Sequence, residues 1–157
     1  MKSANVMPWV SFFIRLIIGL LFIIAALAKI SDPIGFFATL MGFRLFPDIL
    51  LSFLAIFVPW LEFFLGLSLL LGIAYRTASF LLAVLNLLFA LAILSVVARG
   101  IEIDCGCFGL LTDLLGIPDK ADMTAVVRDL VFAAMCLAVF RIRQTAFSLE
   151  NYYSART

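Results

Sequence analysis

The sequence predicts an all-α fold: an integral membrane four-helix bundle with a short interfacial or re-entrant segment between the first and second helices. Three observations carry that reading. The chain is 66% hydrophobic and 13% charged, with a mean hydropathy of +1.23, whereas soluble domains run about half apolar and about a quarter charged. Four apolar runs approach or exceed the roughly 20 residues that cross a hydrocarbon core of about 30 Å. The connections between them are short or rich in proline, glycine and charge. Residues 1–157 are therefore expected to form a single membrane domain.

The first span is expected over about residues 9–30, WVSFFIRLIIGLLFIIAALAKI. Its apolar run exceeds the roughly 7–15 residues of a signal-peptide core, so it is expected to be a retained helix. Residues 31–47, SDPIGFFATLMGFRLFP, are aromatic and bounded by prolines. They are too short to span, which suits the headgroup level. The second span is expected over 48–73 and the third over 78–98, joined at residues 74–77 and hence antiparallel neighbours. The fourth is expected over 123–141. The longest and most polar connection, 99–124, contains Ile103-Asp104-Cys105-Gly106-Cys107-Phe108-Gly109.

Four spans place both termini on one side. That side carries Lys2, Arg76, Arg141, Arg143 and Arg156, against Lys29, Arg44, Arg99 and Lys120 on the other, with Arg128 near the interface there. The slight basic excess predicts cytoplasmic termini and an extracytoplasmic 99–124 loop. Net charge is +1, which favours no nucleic-acid partner.

Charges within spans are costly and turn inward to a partner. Arg15, Glu62 and Asn86 lie at roughly 9, 16 and 10 Å from the inner ends of their helices at 1.5 Å per residue. They are expected to form one intramembrane polar cluster, Arg15 paired to Glu62. Two roles stay open for it: a packing and registry device, or a proton path or quinone head-group site. Pro59, three residues before Glu62, removes a backbone donor there and is expected to kink the helix. A second polar set, Lys29, Arg99, Asp104, Arg128 and Asp129, falls at the outer interface. It serves either as anchoring or as a cationic border that favours thiolate at the cysteines.

The chain has three cysteines and no histidine. Cys136 lies roughly 18 Å along the last helix from Thr124, so one chain does not close a conventional four-ligand zinc site; no metal is expected. Copper(I) on two thiolates remains an alternative, as does a glycine turn with unpaired thiols. A Cys105–Cys107 disulfide would close a very small ring, which constrains the unfolded chain little. Exchange explains such a bond better than stability does. Cys136, among alanines and aliphatics, reads as a small core hydrophobe, with a relay role as the alternative.

Arg99-Gly100, Cys105-Gly106-Cys107-Phe108-Gly109 and Arg128 resemble the MauE branch of the MauE/DoxX family of redox-associated membrane proteins. Arg15-x3-Gly19-x2-Phe22, Ala28-Lys29-Ile30, Pro59-x2-Glu62-x3-Gly66 and Gly72 are similar to the family's first two helices. The resemblance implies a four-helix membrane bundle in the bacterial inner membrane. It implies support of disulfide formation or maturation of a periplasmic methylamine dehydrogenase beside a thioredoxin-like partner. Cys105 and Cys107 would be the catalytic pair, with Lys29, Arg99, Asp104 and Arg128 supporting. A quinone and a second soluble protein are the two electron acceptors considered. The rival readings are a non-catalytic anchor that recruits a soluble oxidoreductase, and a small-molecule or metal carrier. Oligomeric assembly stays open.

Overall fold

The computed structural model describes residues 7–45, 47–101, 103 and 120–142. Five helices run in order: α1 Met7–Ser31, α2 Pro33–Phe43, α3 Asp48–Leu71, α4 Tyr75–Ala98 and α5 Met123–Arg141. Four of them, α1, α3, α4 and α5, are long and apolar enough to cross a membrane. Among the described residues there is no strand.

The segment after α1 is helical rather than extended. Asp32 caps α2, its Oδ1 accepting from Gly35 N at 2.9 Å, and Pro33 occupies the first helical position, where its missing N–H costs nothing. Phe36, Leu40 and Phe43 form its buried face, while Ile34 and Met41 are exposed. That one-sided apolar stripe lays α2 across one end of the bundle. Arg44, at φ 51, ends it.

The turn between α3 and α4 comes earlier than the sequence suggests. Gly72 adopts φ 69 and donates to Ser68 O at 2.9 Å, closing α3. A left-handed glycine at this position satisfies carbonyls that the helix end would otherwise leave open. The chain reverses through residues 72–74, and α4 starts at Tyr75. Helix α3 runs as one helix through Pro59. At the start of α5, Asp122 Oδ1 accepts from Thr124 N and Ala125 N, each at 3.0 Å. Those bonds, with that from the Thr124 hydroxyl, hold the Asp122 carboxyl below the usual carboxylate range.

Helices pair as α1 with α3 and α4 with α5, and the pairs meet along α3–α4 and α1–α5. Two glycines meet in the α1–α3 seam. A Cβ built on Gly19 would lie 2.9 Å from Gly66 O, and one on Gly66 would lie 3.0 Å from Gly19 O. In lipid, helix association depends on such close backbone approach, since the solvent is as apolar as leucine.

The core divides into two apolar clusters. One, at the end covered by α2, contains Phe36, Leu51, Val58, Ala90, Ile93 and Val126. The other, toward the turn at residues 72–74, contains Ile18, Phe22, Leu65, Leu69, Leu82 and Cys136. Buried polar residues fall between them along the chain: Glu62 between Val58 and Leu65, Asn86 between Ala83 and Ala90, and Asp129 between Val126 and Cys136.

Gly66→Val places a branched side chain against the α1 backbone. It is expected to destabilise the bundle by about 2 kcal/mol, the scale of overpacking, measured by SDS-titrated unfolding in mixed micelles. Leu20→Val, on the exposed face of α1, is expected to change little in the same assay.

Candidate functional site

The Gly19–Gly66 contact sets the α1–α3 register and decides which charges meet. Lys29 lies ten residues beyond Gly19, roughly 15 Å along α1, and Glu62 lies roughly 6 Å from Gly66 toward the same end. Side chains on a helix lean toward its N-terminus. In this antiparallel pair Lys29 therefore leans down and Glu62 leans up, and the two close the gap. Lys29 Nζ donates to Glu62 Oε2 at 2.6 Å. Both side chains are buried, 6% and 3% exposed.

This overturns the expected Arg15–Glu62 pair. Arg15 lies four residues on the opposite side of Gly19, and its side chain leans farther away from Glu62. It is buried at the other end, its guanidinium 5.6 Å from the Phe12 ring centroid and 5.5 Å from that of Tyr75. Asn86 is buried but donates back to Leu82 O on its own helix at 2.7 Å. Lys29, in the last turn of α1, is buried against its neighbours.

The ammonium of Lys29 is further surrounded by two rings, Phe36 of α2 at 5.5 Å and Phe89 of α4 at 5.6 Å. Ring faces attract a cation most strongly where water is excluded. One buried cation thus touches α2, α3 and α4 from its place on α1. Removing either charge of such a pair strands the other in a low-dielectric interior.

Arg99 ends α4 on the same side. Its Nε donates to Ser95 O at 2.9 Å, and its Nη2 donates to Phe43 O and to Ser95 Oγ. The bond to Phe43 O ties the C-terminal end of α2, whose last carbonyls have no helical donor, to α4. Arg128 Nε lies 3.2 Å from Asp129 Oδ1 in the first turns of α5.

Cys105, Cys107 and Asp104 lie outside the described residues. The root of their connection is described. Ala121 N donates to Ile103 O at 2.9 Å, bringing the two ends of the segment together. Ile103 packs on α2, where a Cβ on Gly42 would lie 3.2 Å from its Cγ2. The connection therefore starts and ends at the α2-covered end, beside Arg99. Cys136 is fully buried in the opposite cluster, among Leu82, Ala83 and Val139.

Between α2, α3 and α4 lies a cavity of about 390 Å³. Its walls are apolar apart from Ser95, and they include Val58, one turn before Glu62, and Phe89, which faces Lys29. The Lys29–Glu62 partnership and this cavity are the features that residue-by-residue reading missed. The pairing was signalled by the two small residues, Gly19 and Gly66, which set the register.

Glu62→Ala is expected to destabilise the bundle by about 3 kcal/mol, because Lys29 is left charged and buried. The double replacement Lys29→Met with Glu62→Leu is expected to recover most of that loss. Both are read by SDS-titrated unfolding, and additive losses would contradict a direct pair.

A family model described as methylamine utilisation protein MauE matches residues 7–142. The chain is 32% identical over 140 residues to a methylamine utilization protein MauE of Paracoccus denitrificans, covering 88% of this chain and 73% of that protein. It is 32% identical over 151 residues to a protein of the same name from Methylophilus methylotrophus, covering 94% and 77%. Against that of Methylorubrum extorquens it is 39% identical over 102 residues, covering 64% and 55%. No solved structure matches the chain. With its four apolar helices this is a multi-pass membrane protein, and it belongs to the MauE family.

Proposed function

We propose that this chain is a membrane thiol–disulfide redox protein of the inner membrane. In this reading Cys105 and Cys107 exchange with a thioredoxin-like periplasmic partner, and so support maturation of a periplasmic enzyme such as methylamine dehydrogenase. The relatives' names tie the family to methylamine utilisation. One observation carries the thiol reading above the others. The Cys-Gly-Cys motif belongs to a connection whose ends are hydrogen-bonded together at one end of the bundle, beside the cationic Arg99. A scaffold of that kind presents a short reactive segment without committing the helices to move.

The chemistry is ordinary exchange. A partner thiolate attacks one sulfur of a Cys105–Cys107 disulfide; that bond breaks as a mixed disulfide forms. The partner's second thiolate then attacks the mixed disulfide. The partner leaves oxidised, and both bundle cysteines are left as thiols. The reverse direction uses the same steps. A membrane quinone is the acceptor class that returns the dithiol to the disulfide. Cys136, buried in the opposite cluster, takes no part.

Replacing Cys105 and Cys107 by serine in the full-length protein, reconstituted in lipid nanodiscs, tests the reading. Oxidation of a reduced thioredoxin-like partner is expected to fall to the uncatalysed rate. An unchanged rate sinks the redox role and leaves a non-catalytic anchor, whose docking surfaces would then lie at 31–47 and 99–124. Sidedness has its own test. In reduced cells a membrane-impermeant maleimide is expected to label Cys105 and Cys107 from the periplasmic face and to leave Cys136 unlabelled. Labelling only after the inner membrane is opened would reverse the assigned topology.

A further inference from the structure

The geometry points to the cavity between α2, α3 and α4 as the binding site of a prenylated quinone, with Arg99 at its mouth. This inference rests on the thiol–disulfide reading for its chemistry, but the site itself stands on shape and charge. The cavity, about 390 Å³, falls in the size range of small-ligand pockets. It follows α4 from Leu85 to Ser95, roughly 15 Å at 1.5 Å per residue. Leu45, Leu88 and Leu91 on its edge are exposed on the lipid-facing surface, so an apolar tail enters sideways from the bilayer.

The two ends of the cavity differ. At the inner end the walls are Val58, Leu85 and Phe89; Glu62 follows Val58 by one turn, and Phe89 also faces Lys29. At the other end Arg99 bonds to Phe43 O and Ser95, both wall residues, and Arg44 caps α2 between the wall residues Phe43 and Leu45. An apolar slot with the Arg99 guanidinium at its mouth suits a molecule with a hydrocarbon tail and electron-rich oxygens at one end. Arg99 has five N–H donors in all, and its contacts among the described residues engage Nε and Nη2. Its Nη1 is the donor assigned to a quinone carbonyl oxygen.

The same mouth adjoins the root of the cysteine connection. Ile101 and Ile103, two and four residues after Arg99, pack on the apolar cluster beneath α2. A ring held there lies near Ile101 and Ile103, which lead in sequence to Cys105 and Cys107. The step balances without a further reactant. The two thiols lose two electrons and two protons as the sulfur–sulfur bond forms, and the two quinone carbonyls become the hydroxyls of the quinol.

The test uses the full-length protein in nanodiscs of neutral phospholipid, with a benzoquinone bearing one isoprene unit as the probe. Ala92→Phe and Leu54→Phe fill the cavity from opposite walls. Each is expected to weaken binding about tenfold or more, the scale of a steric mismatch in an apolar pocket, whereas Leu20→Phe on the lipid face leaves it unchanged. An azido derivative of the probe is expected to label α3 and α4 of the unaltered protein between Leu51 and Ser95, a readout that does not depend on the variants folding. The Cys105→Ser, Cys107→Ser chain is expected to bind the probe as the unaltered chain does. Retained binding there with lost partner oxidation supports the site; retained partner oxidation fails the thiol reading and not the site. No binding to the unaltered protein, full binding in both cavity variants, or labelling confined to the lipid face overturns the proposal. A phospholipid chain seated in the slot that the quinone does not displace overturns it as well.

Discussion

The α2-covered end of this bundle is arranged around one buried ion pair, Lys29 with Glu62. Two opposite charges have been taken out of water. Their attraction is strong there, but so is the cost of stripping each of its hydration. The pair is set by the α1–α3 register: at Gly19 and Gly66 the backbones come so close that an added Cβ would lie within 3.0 Å of the facing carbonyl oxygen. The glycine contact fixes where the charges stand, and the side-chain lean toward each helix N-terminus lets them meet.

From that point the architecture follows outward. Phe36 of α2 lies over the Lys29 ammonium, so the short helix is tied to the bundle interior and does not merely float at the interface. Phe89 of α4 completes the enclosure and forms the inner wall of the cavity. At the far edge of α2, Arg99 binds the terminal carbonyl of Phe43 and links α2 to α4 a second time. The short helix is thus held at both ends by cations, one buried and one at the surface. The connection that carries the two thiols is rooted on it through Ile103 and Gly42.

The separation of the two apolar clusters gives the polar layer its meaning. Glu62 and Asn86 sit in the gap between the clusters on their own helices, as does Asp129 on α5. In a bundle whose outside is hydrocarbon, inward-facing polar groups are the available source of register and specificity, because apolar faces alone pack in many ways. Arg15 plays a comparable part at the opposite end, enclosed by Phe12 and Tyr75.

Composition and run length determined that the chain is helical, that four of its segments are long enough to cross a bilayer, and that Asp48 and Met123 open two of them. Hydrocarbon leaves backbone groups no partner but one another, so an apolar run of that length has few other folds. The proline-bounded 31–47 segment was legible as a piece too short to span; the Cys-Gly-Cys stretch lies outside the described residues. Only the tertiary structure decided which charges pair. Axial depth counted from helix ends made Arg15 and Glu62 look level, but depth ignores both the glycine register and the direction in which a side chain leaves its helix. Those two properties separate Arg15 from Glu62 and deliver Lys29 to it. The cavity was equally invisible in one dimension, since its walls come from three helices and exist only once α2 has folded across the end of α3 and α4.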